Sequence, residues 1–209
     1  MTNLRIIRDR INQSENGTVF VAVDFVDVSD KTNINAYLAR LEDEGLVKRV
    51  MRGVYYKPQF SEFLNEETAP SVDKVAHAVA RNFGWTIVPS GDAALNYLGL
   101  STQVPATYVY VSDGAYKEYS YGNTTIQFKK TTNKEVSNLS YKTALVVQAL
   151  KTLGKESIDD FVIGRLKTLL TDSEKATILD EAKATTAWIY EYLKQICRIQ
   201  DSQNNDHKM

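Results

Sequence analysis

"LARLEDEGLVKRVMRGVYYKP", residues 38–58, opens as a helix, breaks at Gly45, and continues as two β-prone segments separated by Met51-Arg52-Gly53. Just upstream, Ile34 joins Leu38 and Leu41 at i, i+4 and i+7, the spacing that puts apolar side chains on one helical face. Ser29 or Asp30 can cap the start of this helix, and Gly45 suits the left-handed residue that follows a helix end. "LVKRV" and "VYYK" then read as the strands of a tight hairpin with Gly53 in its turn.

Toward the N-terminus, Leu4, Ile7 and Ile11 predict a first helix from about Leu4 to Gln13. "TVFVAVDFVDVSD" predicts a short strand near Thr18–Phe20 leading into a short second helix. Helix, strand, helix, helix and hairpin is the order of a winged helix-turn-helix, here assigned to residues 1–60. In such a module the third helix fits the major groove while the hairpin, the wing, meets the DNA backbone or the minor groove. With Ile34, Leu38 and Leu41 facing the core, the opposite face carries Lys31, Thr32, Asn33, Asn35 and Arg40. The amides at the same helix end offer a site for a phosphate.

Charge supports this local reading only. The chain carries a net charge of -1, which argues against a protein that coats nucleic acid indiscriminately. Residues 46–58, however, hold Lys48, Arg49, Arg52 and Lys57 and no acid. Each phosphate neutralised adds about 0.9 to the salt-dependence slope of duplex binding. Four such contacts give modest affinity per subunit, so a homodimer on DNA is expected to read two half-sites. The bland alternative is that these cations are solvated surface, since Glu42, Asp43 and Glu44 immediately precede the wing and winged helices also serve as protein-interaction modules.

Downstream, "PQFSEFLNEETAPS" lies between two prolines and predicts a linker, placed at residues 61–71. Beyond it, residues 72–200 read as a mixed α/β domain with a helical C-terminal portion. Val72, Val75, Ala76, Val79 and Phe83 mark an amphipathic helix ending at Gly84. "WTIVPSG" predicts a strand, "DAALNYLG" a short helix starting at Ser90 or Gly91, and "ATYVYVSDG" a half-buried strand. "YKEYSYGNTTIQFKK" predicts two strands around Gly122-Asn123. Three helical stretches follow: Ser140–Leu153; a helix with Ile158, Phe161, Val162, Leu166, Leu169 and Leu170 on one face and Ser157 as cap; and a last one carrying Trp188, Tyr192, Leu193 and Ile196, after the capping box "TDSE" at residues 171–174. Residues 201–209 predict a disordered tail. The expected class is therefore α+β.

The strings "VFVAVDFVDV", "INAYLARLEDEGLVKRVMRGVYYKP", "VAHAVARNFGWTIVPSGDAALNYLGLSTQVP" and "TYVYVSDG" together resemble the AbiEi-like antitoxins of type IV toxin–antitoxin (abortive infection) systems, most strongly over residues 18–130. The resemblance implies an N-terminal winged helix that represses the operon's own promoter and a C-terminal domain that counters the toxin. It implies double-stranded DNA at that promoter as partner, and a nucleotidyltransferase-like toxin as functional partner without the need for a stable complex. It places helix-borne DNA contacts at Lys31, Thr32, Asn33, Asn35 and Arg40, and wing contacts at Lys48, Arg49 and Arg52. The other reading is a protein-interaction or RNA-binding module whose winged helix does not bind DNA. Tyr108, Tyr110, Tyr116, Tyr119 and Tyr121 would supply its stacking surface, although strand tyrosines with one face in a core are the ordinary case.

Catalysis ranks below both. The histidines are His77 and His207, and the one cysteine, Cys197, sits at helical spacing among apolar residues. No metal-ligand spacing and no glycine-rich phosphate loop are present, so neither cofactor nor metal is expected. Asp159 and Asp160 are adjacent, and neighbours on a helix diverge by about 100°, so they form no clamp. The charged start "MTNLRIIRDRINQSENG" and the lack of an apolar run near the roughly 20 residues of a membrane span predict a cytoplasmic protein.

Overall fold

A computed structural model describes residues 2–131 and 138–198. Among these residues it holds eight α-helices and nine strands, an α+β protein. No helix among them is long and apolar enough to cross a membrane. The chain divides into two compact units. The first gathers Met1–Ile87, Ala106–Tyr108 and Ser112–Lys130; the second gathers Val88–Pro105, Val109–Val111 and Thr131–Met209. The division does not fall at residues 61–71, where the sequence suggested a linker. Residues 201–209, expected as a tail, lie outside the described residues.

The first unit begins with α1 (Asn3–Gln13) and β1 (Val19–Val21). The expected second helix is instead a single 3-10 turn, Ala22–Phe25, fixed by Asp24, whose carboxylate accepts from the Val21 amide at 2.9 Å. Four residues with two of them buried carry too little periodicity to be read as either helix type. Helix α2 (Lys31–Asp43) buries Ile34, Leu38 and Leu41. It ends in a Schellman-type turn in which the Leu46 amide reaches the Leu41 carbonyl at 2.9 Å and Gly45 takes φ +77°. Strands β2 (Lys48–Met51) and β3 (Val54–Tyr56) form the expected hairpin, with Gly53 at φ +75° and a register shift between Arg49 and Met51. β1 pairs antiparallel with β3, giving a three-stranded sheet in the order β1-β3-β2. Ile7, Ile11, Phe20, Phe25 and Tyr55 close the core under α2.

The segment read as a linker folds into a second hairpin, β4 (Gln59–Ser61) and β5 (Glu66–Thr68). Its loop includes Asn65 at φ +52°, the left-handed conformation that asparagine tolerates better than other non-glycine residues. Helix α3 (Val72–Phe83), capped by Ser71, packs on β1 and on β9. It buries Val75, Ala76 and Val79 but leaves Phe83 41% exposed, so Phe83 does not belong to the core face suggested by its spacing.

Strands β6 (Ile87–Ser90), β7 (Thr107–Ser112), β8 (Lys117–Tyr121) and β9 (Thr124–Lys130) form a sheet in the order β6-β7-β9-β8. β8 and β9 turn at Gly122-Asn123, as that dipeptide suggested. Of the tyrosines there, Tyr108 and Tyr110 are buried, Tyr119 and Tyr121 are half-buried, and Tyr116 is 60% exposed. The Trp85 ring packs on Gly114, where even a Cβ would approach it to 2.2 Å.

In the second unit, the short α4 (Asp92–Tyr97) and α5 (Tyr141–Leu153) pack together. α6 (Asp160–Leu169) and α7 (Asp172–Glu181) pack against α8 (Ala187–Cys197). The capping box at the start of α7 forms as read: Thr171 and Glu174 exchange bonds, the Thr171 amide donating to Glu174 at 2.8 Å. Two details differ. Asp159, not Ser157, caps α6 by accepting from the Val162 amide at 2.9 Å, because the helix starts later than the apolar spacing suggested. Phe161 is 63% exposed, lying in the first turn on the side away from Val162 and Leu166. Cys197 is buried, and burial pushes its thiol up to about 11, which leaves it inert at neutral pH.

Candidate nucleic-acid interface

The eight residues singled out as DNA contacts fall into two groups by what surrounds them. Lys31, Asn35, Arg49 and Arg52 line one cavity of about 490 Å³ within the first unit. Lys31 and Asn35 come from the exposed face of α2, and Arg49 and Arg52 from the β2–β3 hairpin. Among the described residues, no Asp or Glu lines it. The helix and hairpin that follow each other in sequence thus present their cations to one concavity, which the sequence pattern alone did not require.

Thr32, Asn33, Arg40 and Lys48 lie outside that cavity, and three of them already have partners. Asn33 donates its side-chain amide to Asp30 at 2.5 Å. Arg40 pairs with Glu44 one turn along α2, Nε to Oε1 at 3.2 Å. Lys48 pairs with Glu67 of β5. The hairpin that replaces the expected linker therefore carries a carboxylate to one of the cations of the β2–β3 hairpin. Lys57, read as a further wing cation, is a structural group: its ammonium donates to the carbonyls of Asn12 and Ser14, both at 2.8 Å, and ties the end of α1 to the strand exit.

The expected phosphate site at the start of α2 is also partly filled. Asp30 caps the helix and accepts from the Asn33 amide at 3.0 Å, and these hydrogen bonds hold its carboxyl below the usual range. A negative side chain occupying first-turn amides satisfies them and opposes a second anion. Lys31, rather than the helix amides, is then the group at that end with charge to offer.

Arg49 is intermediate. Its guanidinium lies 5.2 Å from the Tyr55 ring centroid and meets Glu42 at 2.5 Å. Tyr55 and Glu42 raise its pKa. Arg52 and Lys31 are the cations of the cavity with no carboxylate within pairing distance among the described residues. Both are exposed, so an anion reaching the cavity meets two charges without a protein counter-ion among the described residues.

The cavity has members that the sequence reading did not select. Asn82 and Phe83 come from the end of α3 and Tyr119 from β8. Tyr119 falls among the tyrosines of the sheet and Phe83 among the apolar positions of α3; neither carries a signal tying it to the β2–β3 hairpin, because the link is tertiary. Phe83 stacks on Trp85 with centroids 4.7 Å apart, and the Lys117 ammonium sits 4.1 Å from the Phe83 ring.

Residues 6–178 match a family model described as a family of unknown function, DUF6088. The chain belongs to the DUF6088 family. No curated protein matches it. The DUF6088 match runs through α2, both hairpins, α3 and the sheet, so the cationic cavity and all its lining residues fall inside the family region. Among the described residues, no group of three or more His, Cys, Asp or Glu is placed to hold a metal ion.

Proposed function

We propose that this chain is a DNA-binding regulator that contacts duplex DNA through α2 and the β2–β3 hairpin, in the manner of a winged helix, and represses its own promoter as the antitoxin of a type IV pair. The observation that carries the DNA half is the acid-free cavity that brings Lys31, Asn35, Arg49 and Arg52 onto one surface. Phosphate contacts position such a protein and base-edge contacts specify the sequence. In this arrangement Lys31 and Arg52 are the positioning charges, and Asn35 is the amide placed to read a base edge. Asn33 joins it only by exchanging Asp30 for DNA. The antitoxin half is supported by the sequence resemblance over residues 18–130.

The test is a mobility shift of the full chain on the duplex upstream of its own gene. A specific shift is expected, weakened across all sequences by Arg52→Ala and altered in sequence preference by Asn35→Ala. Absence of any specific shift at low salt sinks the DNA reading. For the antitoxin role, the neighbouring reading frame should be toxic alone and rescued by co-expression. The intact chain is the right reagent, because residues 112–130 fold with residues 1–87 and a cut at residue 70 would divide a compact unit. If that frame is harmless alone, the antitoxin half fails.

A second reading has its own support. The β4–β5 hairpin exposes Phe60, Phe63 and Leu64 at 56%, 95% and 55%, beside Glu62, Glu66 and Glu67. An apolar tip of that kind is characteristic of a protein contact. Its removal by Phe63→Ser should then abolish neutralisation of the toxic frame while leaving the mobility shift intact.

A further inference from the structure

The cavity holding Lys31, Arg49 and Arg52 has lining residues that phosphate contact does not explain. Asn35 and Asn82 line it, and their side-chain amides hydrogen-bond to no other described residue. Each offers two donors and an acceptor, the complement of a heterocycle's edge. Tyr119 is half-buried against the same space, and Arg49, held over Tyr55, adds a guanidinium plane on which a flat ring can stack. Phe83 contributes its edge, since Trp85 and Lys117 approach its faces. The DNA reading uses the cations and Asn35; Asn82 and the rings are left, and they are suited to a free base.

We infer that this cavity is a binding site for a nucleoside monophosphate, and that occupation displaces DNA. The phosphate is taken by Lys31 and Arg52, the two lining cations without a carboxylate partner, whose combined charge balances the roughly -1.5 to -2 of one phosphate at neutral pH. The base lies between Tyr119 and the Arg49 plane with its edge toward Asn35 and Asn82. At about 490 Å³ the space falls within the roughly 300–1,000 Å³ typical of small-molecule sites. The binding half of the inference stands without the DNA reading, while the displacement half rests on it, because Lys31, Asn35 and Arg52 serve both ligands.

The experiment uses the full chain carrying Trp188→Phe, which leaves Trp85, stacked on Phe83 at the cavity wall, as the fluorescent reporter. AMP, GMP, CMP and UMP are titrated without DNA, beside adenosine and inorganic phosphate, with calorimetry on the same samples to read binding that leaves emission unchanged. At least one mononucleotide should bind saturably, and adenosine and phosphate alone at least about tenfold more weakly, the equivalent of one lost charged hydrogen bond. Asn82→Ala should weaken nucleotide binding by about tenfold and spare DNA binding, whereas Arg52→Ala should weaken both. Saturation by none of the four overturns the inference, as does inorganic phosphate binding as tightly as the best mononucleotide. A nucleotide that binds without releasing bound DNA overturns the displacement half. A chain that binds nucleotide but never DNA sinks the proposed function and leaves the nucleotide site standing.

Discussion

Cations of the two units can be compared by what surrounds them. In the second unit, Lys142, Lys175, Lys183 and Lys194 each sit within 4 Å of a carboxylate, Lys175 and Lys194 with a residue three positions earlier on the same helix, while Lys155, Arg165 and Lys167 pair with no carboxylate among the described residues. In the first unit, Arg40, Lys48 and Arg49 are paired, but Lys31 and Arg52 face a shared cavity with no acid in it. Pairing at i and i+3 follows from helix geometry and settles charge locally. A cation left unpaired in a concavity has an interaction still to make, and an anion supplies it. The proposed function therefore draws on two first-unit cations that share one cavity, whereas the i, i+3 pairs of the second unit settle charge locally.

The largest effect should come from removing the unpaired cations. Lys31→Ala with Arg52→Ala is expected to weaken binding to the upstream duplex by about a hundredfold, at roughly tenfold per charged contact. Fluorescence anisotropy against labelled duplex checks it, and a change below threefold would place the DNA contacts elsewhere.

A smaller effect of opposite sign tests the same contrast. Glu42→Gln removes the partner of Arg49 and should tighten DNA binding by a few fold, since it frees a guanidinium already in the cavity. Unchanged or weaker binding would mean that Glu42 positions Arg49 rather than restraining it.

On the other side of the comparison, Lys194→Ala breaks an exposed pair with Glu191 and should shift stability by less than about 0.5 kcal/mol, read by urea denaturation, with DNA binding unaltered. A larger loss would show that the helical pairs of the second unit act as a network.

The smallest effect concerns His77. Burial lowers its pKa, opposed by Asp73 and assisted by Arg81, which itself pairs with Asp24. A depressed imidazole favours the neutral form in the folded chain, so its contribution to stability is present above the unfolded value of about 6.5 and is lost as pH falls through the lower folded value. His77→Gln should flatten the acid side of a stability–pH profile by a small amount. An identical acid slope in wild type and variant would remove His77 from the account.

Much of this architecture was legible in sequence because it rests on local patterns. Ile34, Leu38 and Leu41 announced α2, Gly45 and Gly53 marked its end and the turn of the β2–β3 hairpin, and "TDSE" announced a cap that forms as written. What escaped was short or distant. The 3-10 turn at Ala22–Phe25 and the strands β4 and β5 are three or four residues long, too brief for periodicity to register. Phe83 and Phe161 kept helical spacing yet lie exposed, since spacing orders a face without saying where the core ends.

The candidate site was readable to a similar depth. An acid-free stretch pointed to Arg49 and Arg52, but their difference depends on Glu42, and the fate of Lys48 depends on Glu67, 19 residues away. Asn82 and Tyr119 reach the cavity from α3 and β8, and no motif within either segment foretells the meeting.

The most direct test of the central claim is the salt dependence of duplex binding for the full chain and for its Lys31→Ala, Arg52→Ala variant. If both unpaired cations contact phosphates, the slope of log affinity against log salt should fall by about 1.8 in the variant, near 0.9 for each contact. Equal slopes for the two proteins would contradict the account, because the charges left free by the fold would then not be the ones that meet DNA.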